Sequence, residues 1–122
     1  MILWLTGQTG SGKTTLARQL AGGQRNTVIL DGDRLRQIWP GLGLSPEDRQ
    51  EQNLRTARLA RELDEQGFCV IVAVIAPYEA LRREIQTICG CNFIHVDHDK
   101  YISDPIRPYE KPSNAIITIN RE

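Results

Sequence analysis

The residues with the plainest chemistry lie near the start of the chain. Gly7-Gln8-Thr9-Gly10-Ser11-Gly12-Lys13-Thr14 satisfies G-x-x-x-x-G-K-[ST] at every defined position. Glycines at this spacing let successive backbone N–H groups turn inward, and the start of a following helix adds its own N–H groups, so the loop cradles phosphate. Lys13 supplies a fixed cation for the terminal phosphates, and the Thr14 hydroxyl is placed to bind Mg²⁺. The expected ATP-binding set is Gly7, Gln8, Thr9, Gly10, Ser11, Gly12, Lys13, Thr14 and Thr15. The motif implies a nucleoside triphosphate but does not separate a hydrolase from a kinase. The chain has no N-K-x-D for guanine and is too short for most motor or signalling ATPases.

Two carboxylates offer the other half of a phosphoryl-transfer site. The apolar run 69–75 ends without an Asp, so the carboxylate on the Mg²⁺ side must come from elsewhere. Asp31-Gly32-Asp33 supplies it at the end of another apolar run. An Asp there can orient metal-bound water or accept a proton from an acceptor hydroxyl. Arg34 and Arg36 follow within a turn, where one of them can hold an anionic acceptor. Asp33 is also expected to cap the short helix that runs to Ile38.

These groups need a scaffold that brings loop ends together, and the apolar pattern predicts one. Residues 2–5, 27–30, 69–75, 93–96 and 115–119 read as strands, and 13–21, 33–38, a long helix opening at Ser45-Pro46, and 78–88 read as helices. Ser45 is a cap, Pro46 suits the first helical position, and Asp48 makes a short capping box with Ser45. Leu16 and Leu20 should face inward from the first helix, and Leu54, Ala57, Leu59, Ala60 and Leu63 from the long one. Asn53 falls on the polar side of that long helix. Leu81, Ile85 and Ile88 should be the inward face of the last helix.

Strands and helices that alternate, with a strand of seven successive apolar residues, predict an α/β fold in three layers. The expectation is one domain over 1–122, with a five-stranded, mainly parallel sheet and helices on both faces. Ligands in such sheets sit at the carboxyl ends of the strands, where every polar cluster above falls.

Composition narrows the function. Fifteen basic residues balance fifteen acidic ones, which argues against a general nucleic-acid or polybasic membrane binder but not against one local basic pocket. No apolar run approaches the roughly 20 residues of a membrane span, and no basic, signal-like leader precedes residues 2–5, so a cytoplasmic protein is expected. Cys69, Cys89 and Cys91 lack C-x-x-C spacing, which points to small buried side chains rather than a disulfide framework or a zinc site.

The phosphate loop is followed in order by Leu30-Asp31-Gly32-Asp33-Arg34-Leu35-Arg36, Gly43-Leu44-Ser45-Pro46-Glu47-Asp48-Arg49, Asn53-Leu54-Arg55, Ile75-Ala76-Pro77-Tyr78 and Pro108-Tyr109-Glu110. This series resembles the adenylylsulfate kinases over nearly the whole chain. The resemblance implies transfer of the γ-phosphoryl group of ATP to the 3′-hydroxyl of adenylyl sulfate, with Mg²⁺ as cofactor. It implies Lys13, Asp31 and Asp33 as catalytic residues, and Thr14 and Asp33 as the metal residues, partly through water. The implied acceptor site is Asp33, Arg36, Leu44, Arg49, Asn53, Ile75, Ala76, Pro77 and Tyr78. Members of the family are commonly homodimers. Arg82 is assigned either to this pocket or to an exposed helix face, and Trp39 either to an aromatic wall or to core or dimer interface.

The chain departs from the family in several places. The family has Ser where Ala76 stands, so hydroxyl chemistry there is impossible. It has Phe where Leu44 stands, which removes an aromatic wall. Arg49 lies four residues before Asn53, where the family spacing is three. The long basic lid of the family is reduced to about 98–107, with Asp99, Lys100 and Tyr101 as a remnant, and Lys100 or Arg107 as partial replacements for its charge or as solvated loop residues. By the same resemblance, the C-terminal helix that supports the adenine of ATP in the family is expected to be absent or truncated after the last strand. The acceptor side changes while the phosphate side is intact, so a kinase of the same build for another nucleotide-like acceptor is the second expectation. A non-catalytic nucleotide-binding subunit is the third.

Overall fold

The computed structural model describes residues 1–8, 10–98, 109–112 and 117–121, with 98 and 117–121 given by backbone alone. Among them the elements are β1 (Ile2–Thr6), α1 (Lys13–Ala21), β2 (Thr27–Asp31), α2 (Gly32–Ile38), α3 (Pro46–Glu65), β3 (Cys69–Ala73), α4 (Glu79–Cys89), β4 (Asn92–His98) and β5 (Ile117–Arg121). The five strands form one sheet in the order β2-β3-β1-β4-β5, and each of the four pairings is parallel. β3 therefore lies between the phosphate-loop strand and β2. The last strand runs two residues beyond the end of its apolar pattern, to Arg121.

Successive side chains of a strand point to opposite faces, and β1 uses both. Trp4 packs with Leu35, Ala57, Ile85 and Phe93 beneath α3 and α4. Leu5 packs with Leu16, Ala17, Ile71 and Val96 beneath α1. Trp4 and Leu5 have no exposed surface. Burying a side chain of this kind is worth about 1.5–3 kcal/mol, so both helical layers are anchored through this one strand. In α1 the inward face is Leu16, Ala17 and Ala21, while Leu20 is exposed, because the two alanines continue the stripe one position away from Leu20.

The ends of the elements shape the site. β3 stops at Ala73, two residues short of the apolar run. The next four carbonyls are taken by donors from outside the sheet ladder. Val74 O accepts from the Trp4 indole at 2.9 Å, and Ile75 O from the Thr6 hydroxyl at 2.6 Å. Ala76 O accepts from the Arg82 guanidinium at 2.6 Å, and Pro77 O from the Glu110 N–H at 2.7 Å.

The cap of α2 is Asp31, not Asp33: its backbone is extended, and its carboxylate accepts from the Asp33 N–H at 2.9 Å. Gly32 enters the helix, which shifts the start two residues earlier than the sequence pattern does. Ser45 caps α3 as expected, accepting from Asp48 N–H at 3.1 Å. The Asp48 carboxylate reaches Gly43 N–H at 2.9 Å instead of returning to Ser45, and so pins the loop that carries Leu44.

Candidate active site

The carboxyl ends of β1, β2 and β3 open into a cavity of about 730 Å³. That is within the usual range for a small-molecule site. Gln8, Gly10, Gly12, Lys13, Thr14 and Thr15 border it on the side of the phosphate loop. Gly7 and Ser11 lie behind this surface, and Thr9 falls outside the described residues. Gly7 is required by close approach: a Cβ there would stand 2.5 Å from Val96 O. Gly12 caps α1 at φ 93°, a left-handed conformation that glycine adopts without steric cost.

Lys13 is buried against its own loop. Its Nζ donates to Gly7 O at 2.9 Å and to Gln8 O at 2.8 Å. Burial pulls its ammonium down to about 8, with the nearby Asp31 charge partly opposing that shift. The Thr14 hydroxyl donates to Asp31 Oδ2 at 2.8 Å. Both Asp31 oxygens are thus engaged, one by the phosphate loop and one by the start of α2. The carboxylate that meets Thr14 is Asp31, whereas the expected metal partner, Asp33, projects from the first turn of α2 with its side chain 83% exposed and ion-paired to Arg36. The difference follows from the cap: the residue that caps α2 faces the loop, and the residue two positions on faces the cavity mouth.

The opposite wall holds Asp33, Arg36, Leu44, Arg49, Asn53, Ile75 and Pro77. Ala76 and Tyr78 do not border the cavity; Ala76 is wholly buried, and Tyr78 caps α4 by its backbone. Ala76 has a left-handed backbone at φ 46°, and this turn carries Ile75 and Pro77 to the cavity while Ala76 stays buried. Leu44 is 62% exposed at the rim. Asn53 is not on a solvated face: it is buried in line with Ala57 and Ala60, one and two helical turns on. Its Nδ2 donates to Arg49 O at 2.8 Å, and its Oδ1 is buried without a partner among the described residues. An unpaired buried acceptor costs about 1–3 kcal/mol, so a donor from a bound ligand would relieve it.

Type and spacing do not place two further cavity residues in the site. Gln52 borders the cavity, and its Nε2 donates to Gly32 O at 3.0 Å, which ties α3 to the Asp31–Asp33 turn. Tyr109 also borders the cavity; its hydroxyl is 3.0 Å from that of Thr6, and burial pushes it up to about 12. Arg82, left open between pocket and surface, is neither: it is buried behind the wall. Trp39 packs at the edge of the core under Arg55, 5.9 Å from the ring centroid, and gives the cavity no aromatic wall.

A sequence profile described as adenylylsulphate kinase matches residues 1–107. The chain belongs to the adenylylsulphate kinase family. It is 39% identical over 115 residues to an adenylyl-sulfate kinase of Paraburkholderia xenovorans, covering 89% of this chain and 62% of that protein. A probable bifunctional SAT/APS kinase of Sorangium cellulosum is 35% identical over 146 positions, covering 98% of this chain and 25% of that one. Those 146 positions exceed the 122 residues here, so that family member carries internal residues this chain lacks. The structure of the Mycobacterium tuberculosis APS kinase in complex with AMPPNP and APS superposes with a TM-score of 0.80 at 26% identity, covering 98% of this chain and 87% of that one. The chain spans about three fifths of the length of the adenylyl-sulfate kinases it resembles.

Among the described residues the three thiols are free, and no helix is long and apolar enough to cross a membrane. Cys91 is buried, and contact with the Cys89 thiol, followed by burial, holds its own thiol well above the ordinary range. The expected lid replacements, Lys100 and Arg107, and the remnant Asp99, Lys100 and Tyr101 lie outside the described residues.

Proposed function

We propose that this chain carries out the phosphotransfer of its family: the γ-phosphoryl group of ATP passes to the 3′-hydroxyl of adenylyl sulfate. The observation that carries this reading is Asp31. One oxygen holds Thr14 of the phosphate loop, and the other starts the helix that bears Asp33 and Arg36, so the donor and acceptor walls of one cavity share a single carboxylate.

The residues fit Mg²⁺. Thr14 and Asp31 place a hydroxyl and a carboxylate in contact at the cavity, the hard oxygen ligands that this ion prefers. Held there, Mg²⁺ would offset the negative charge of the phosphates. In this assignment Asp31 replaces Asp33 as the carboxylate beside Thr14, and Asp33 faces the acceptor.

The chain's own groups then have distinct tasks. Lys13 exchanges two neutral loop carbonyls for anionic phosphate oxygens, a gain because attraction between opposite full charges is added to the hydrogen bonds. Asp33 accepts the proton of the 3′-hydroxyl as its oxygen bonds to the γ-phosphorus and the bond to the leaving ADP breaks. Arg36, released from Asp33, holds an anionic group of the acceptor, and Asn53 Oδ1 takes a donor from its ribose or base.

One observation favours a second reading, a kinase for a related nucleotide acceptor: the rim residue Leu44 is aliphatic and exposed, so it stacks no base as an aromatic side chain would. A labelled γ-phosphoryl transfer assay against adenylyl sulfate and a panel of 3′-hydroxyl nucleotides decides between them. The first reading expects adenylyl sulfate to be the preferred acceptor. Preference for another nucleotide selects the second reading, and ATP binding without transfer to any acceptor refutes both.

A further inference from the structure

We propose that Arg82, which does not reach the cavity, is the positioning residue that builds the acceptor wall by fastening segment 75–77 to segment 109–110. The inference rests on the phosphotransfer reading for its substrate and on geometry for everything else.

Beyond β3 the chain makes its wall without sheet pairing. Ile75 and Pro77 border the cavity, and Ala76 between them has φ 46°, a left-handed backbone that alanine rarely adopts. Such a turn persists only when its surroundings over-determine it. Here they do, and Arg82 is central to them. Its Nη1 donates to Ala76 O at 2.6 Å and its Nη2 to Glu110 O at 2.6 Å. Glu110 N–H in turn donates to Pro77 O at 2.7 Å, which closes a ring of contacts between the two segments. The guanidinium also lies over the Tyr109 ring, 5.4 Å from its centroid, and the Tyr109 hydroxyl meets Thr6, the residue before Gly7 of the phosphate loop. Thr6 itself donates to Ile75 O. The wall that would hold the acceptor is thus referenced to the loop that would hold ATP.

Arg82 is a poor choice for stability alone. It is 3% exposed, its Nε has no partner among the described residues, and the carboxylate of Glu79 is 3.4 Å away, at the edge of hydrogen-bond range. Burying a cation is costly unless its geometry is fully matched, and an apolar side chain of similar volume would fill the space at less cost. A planar fork that reaches two carbonyls on different segments is what an apolar residue, or the single ammonium of lysine, cannot supply.

The test uses the full chain and three variants: Arg82→Lys, Arg82→Met and, as a control, Glu79→Gln, which removes the nearby carboxylate and leaves both carbonyl contacts. Hydrogen exchange at the Glu110 amide reads the clamp directly, whatever the acceptor. Steady-state kinetics read its consequence with adenylyl sulfate, or with the preferred acceptor if the native protein rejects adenylyl sulfate, so failure of the substrate assignment is scored on the native protein and kept apart from failure of the clamp. Arg82→Lys and Arg82→Met should speed Glu110 exchange at least tenfold and raise the acceptor KM at least tenfold, with the KM for ATP within twofold and sheet amides in β1 and β3 unchanged. Glu79→Gln should shift neither reading more than twofold. Should Arg82→Met fail to fold, Arg82→Lys carries the same two readings. The proposal is overturned if Glu110 exchange is unaffected, if it accelerates while the acceptor KM stays within twofold, or if exchange throughout the sheet and both KM values rise together.

Discussion

Replacing Asp31 separates the roles of two carboxylates that the sequence alone does not. Asp31→Asn keeps an oxygen to accept from the Asp33 N–H, and Asn is as good a cap as Asp, so α2 should start normally. The other oxygen becomes an amide, which cannot accept from Thr14 and carries no charge. Thermal stability should fall by about 1 kcal/mol or less, because the cap survives and a hydroxyl can re-orient. Asp31→Ala loses the cap, worth about 0.5–2 kcal/mol, and a half-buried charge-assisted bond worth about 1.5 kcal/mol more. At about 4 °C per kcal/mol for a domain of this size, its Tm should drop by roughly 8–14 °C. Activity should divide differently. Asp31→Asn should lower kcat by about 10²–10³-fold and raise the Mg²⁺ needed for half-maximal rate, since a charge aimed at the metal side is lost. Asp33→Asn should lower kcat by about 10²-fold as the proton acceptor disappears, with the Mg²⁺ requirement unchanged. Its ion pair with Arg36 is exposed and worth about 0–1 kcal/mol, so Tm should hardly move. The assays are differential scanning fluorimetry and initial rates across a Mg²⁺ series. The reasoning fails if Asp33→Asn shifts the Mg²⁺ dependence while Asp31→Asn leaves it alone.

Three further outcomes follow from single contacts. Lys13 is held at about 8 against an ordinary 10.5, so between those values the unfolded chain holds more protons and stability rises with pH, while kcat/KM for ATP falls through about pH 8 as the ammonium is lost; chemical denaturation and initial rates from pH 6.5 to 10 check both signs. Gly7→Ala puts a Cβ 2.5 Å from Val96 O, so it should cost about 1–3 kcal/mol and abolish ATP binding, measured by thermal melts with and without nucleotide. Leu44→Phe adds an aromatic face at the cavity rim and should lower the KM for a nucleotide acceptor at least fivefold, equivalent to about 1 kcal/mol or more of base stacking; an unchanged KM would place the acceptor base elsewhere.

The loop half of the candidate site is legible in the sequence because its information is local. Gly7 to Thr14 is a continuous motif between a strand and a helix, and the structure keeps those neighbours in place. The strand order puts β2 one strand removed from β1, so the carboxyl ends that bear the phosphate loop and Asp31 lie close together. What the sequence could not resolve is where a local rule allows two answers or where the partner is remote. Asp31 and Asp33 both suit a cap, and the choice depends on whether Gly32 joins the helix, which the contact with Thr14 favours. Asn53 looks solvated by residue type, yet it shares a face with Ala57 and Ala60 because α3 buries polar residues beside the cavity. Arg82 is invisible as a clamp, since its carbonyl partner on Glu110 lies 28 residues away and the Thr6–Tyr109 contact closes over 103. The apolar run from Cys69 overstated its strand because side-chain donors, not a neighbouring strand, satisfy Val74 and Ile75.

The measurement that bears most directly on the central claim follows γ-³²P from ATP with adenylyl sulfate as acceptor and locates the label in the product. The account predicts one labelled phosphoryl group on the 3′-oxygen of adenylyl sulfate for each ADP formed, and no transfer by Lys13→Ala. Release of all the label as inorganic phosphate, or equal transfer by Lys13→Ala, would contradict it.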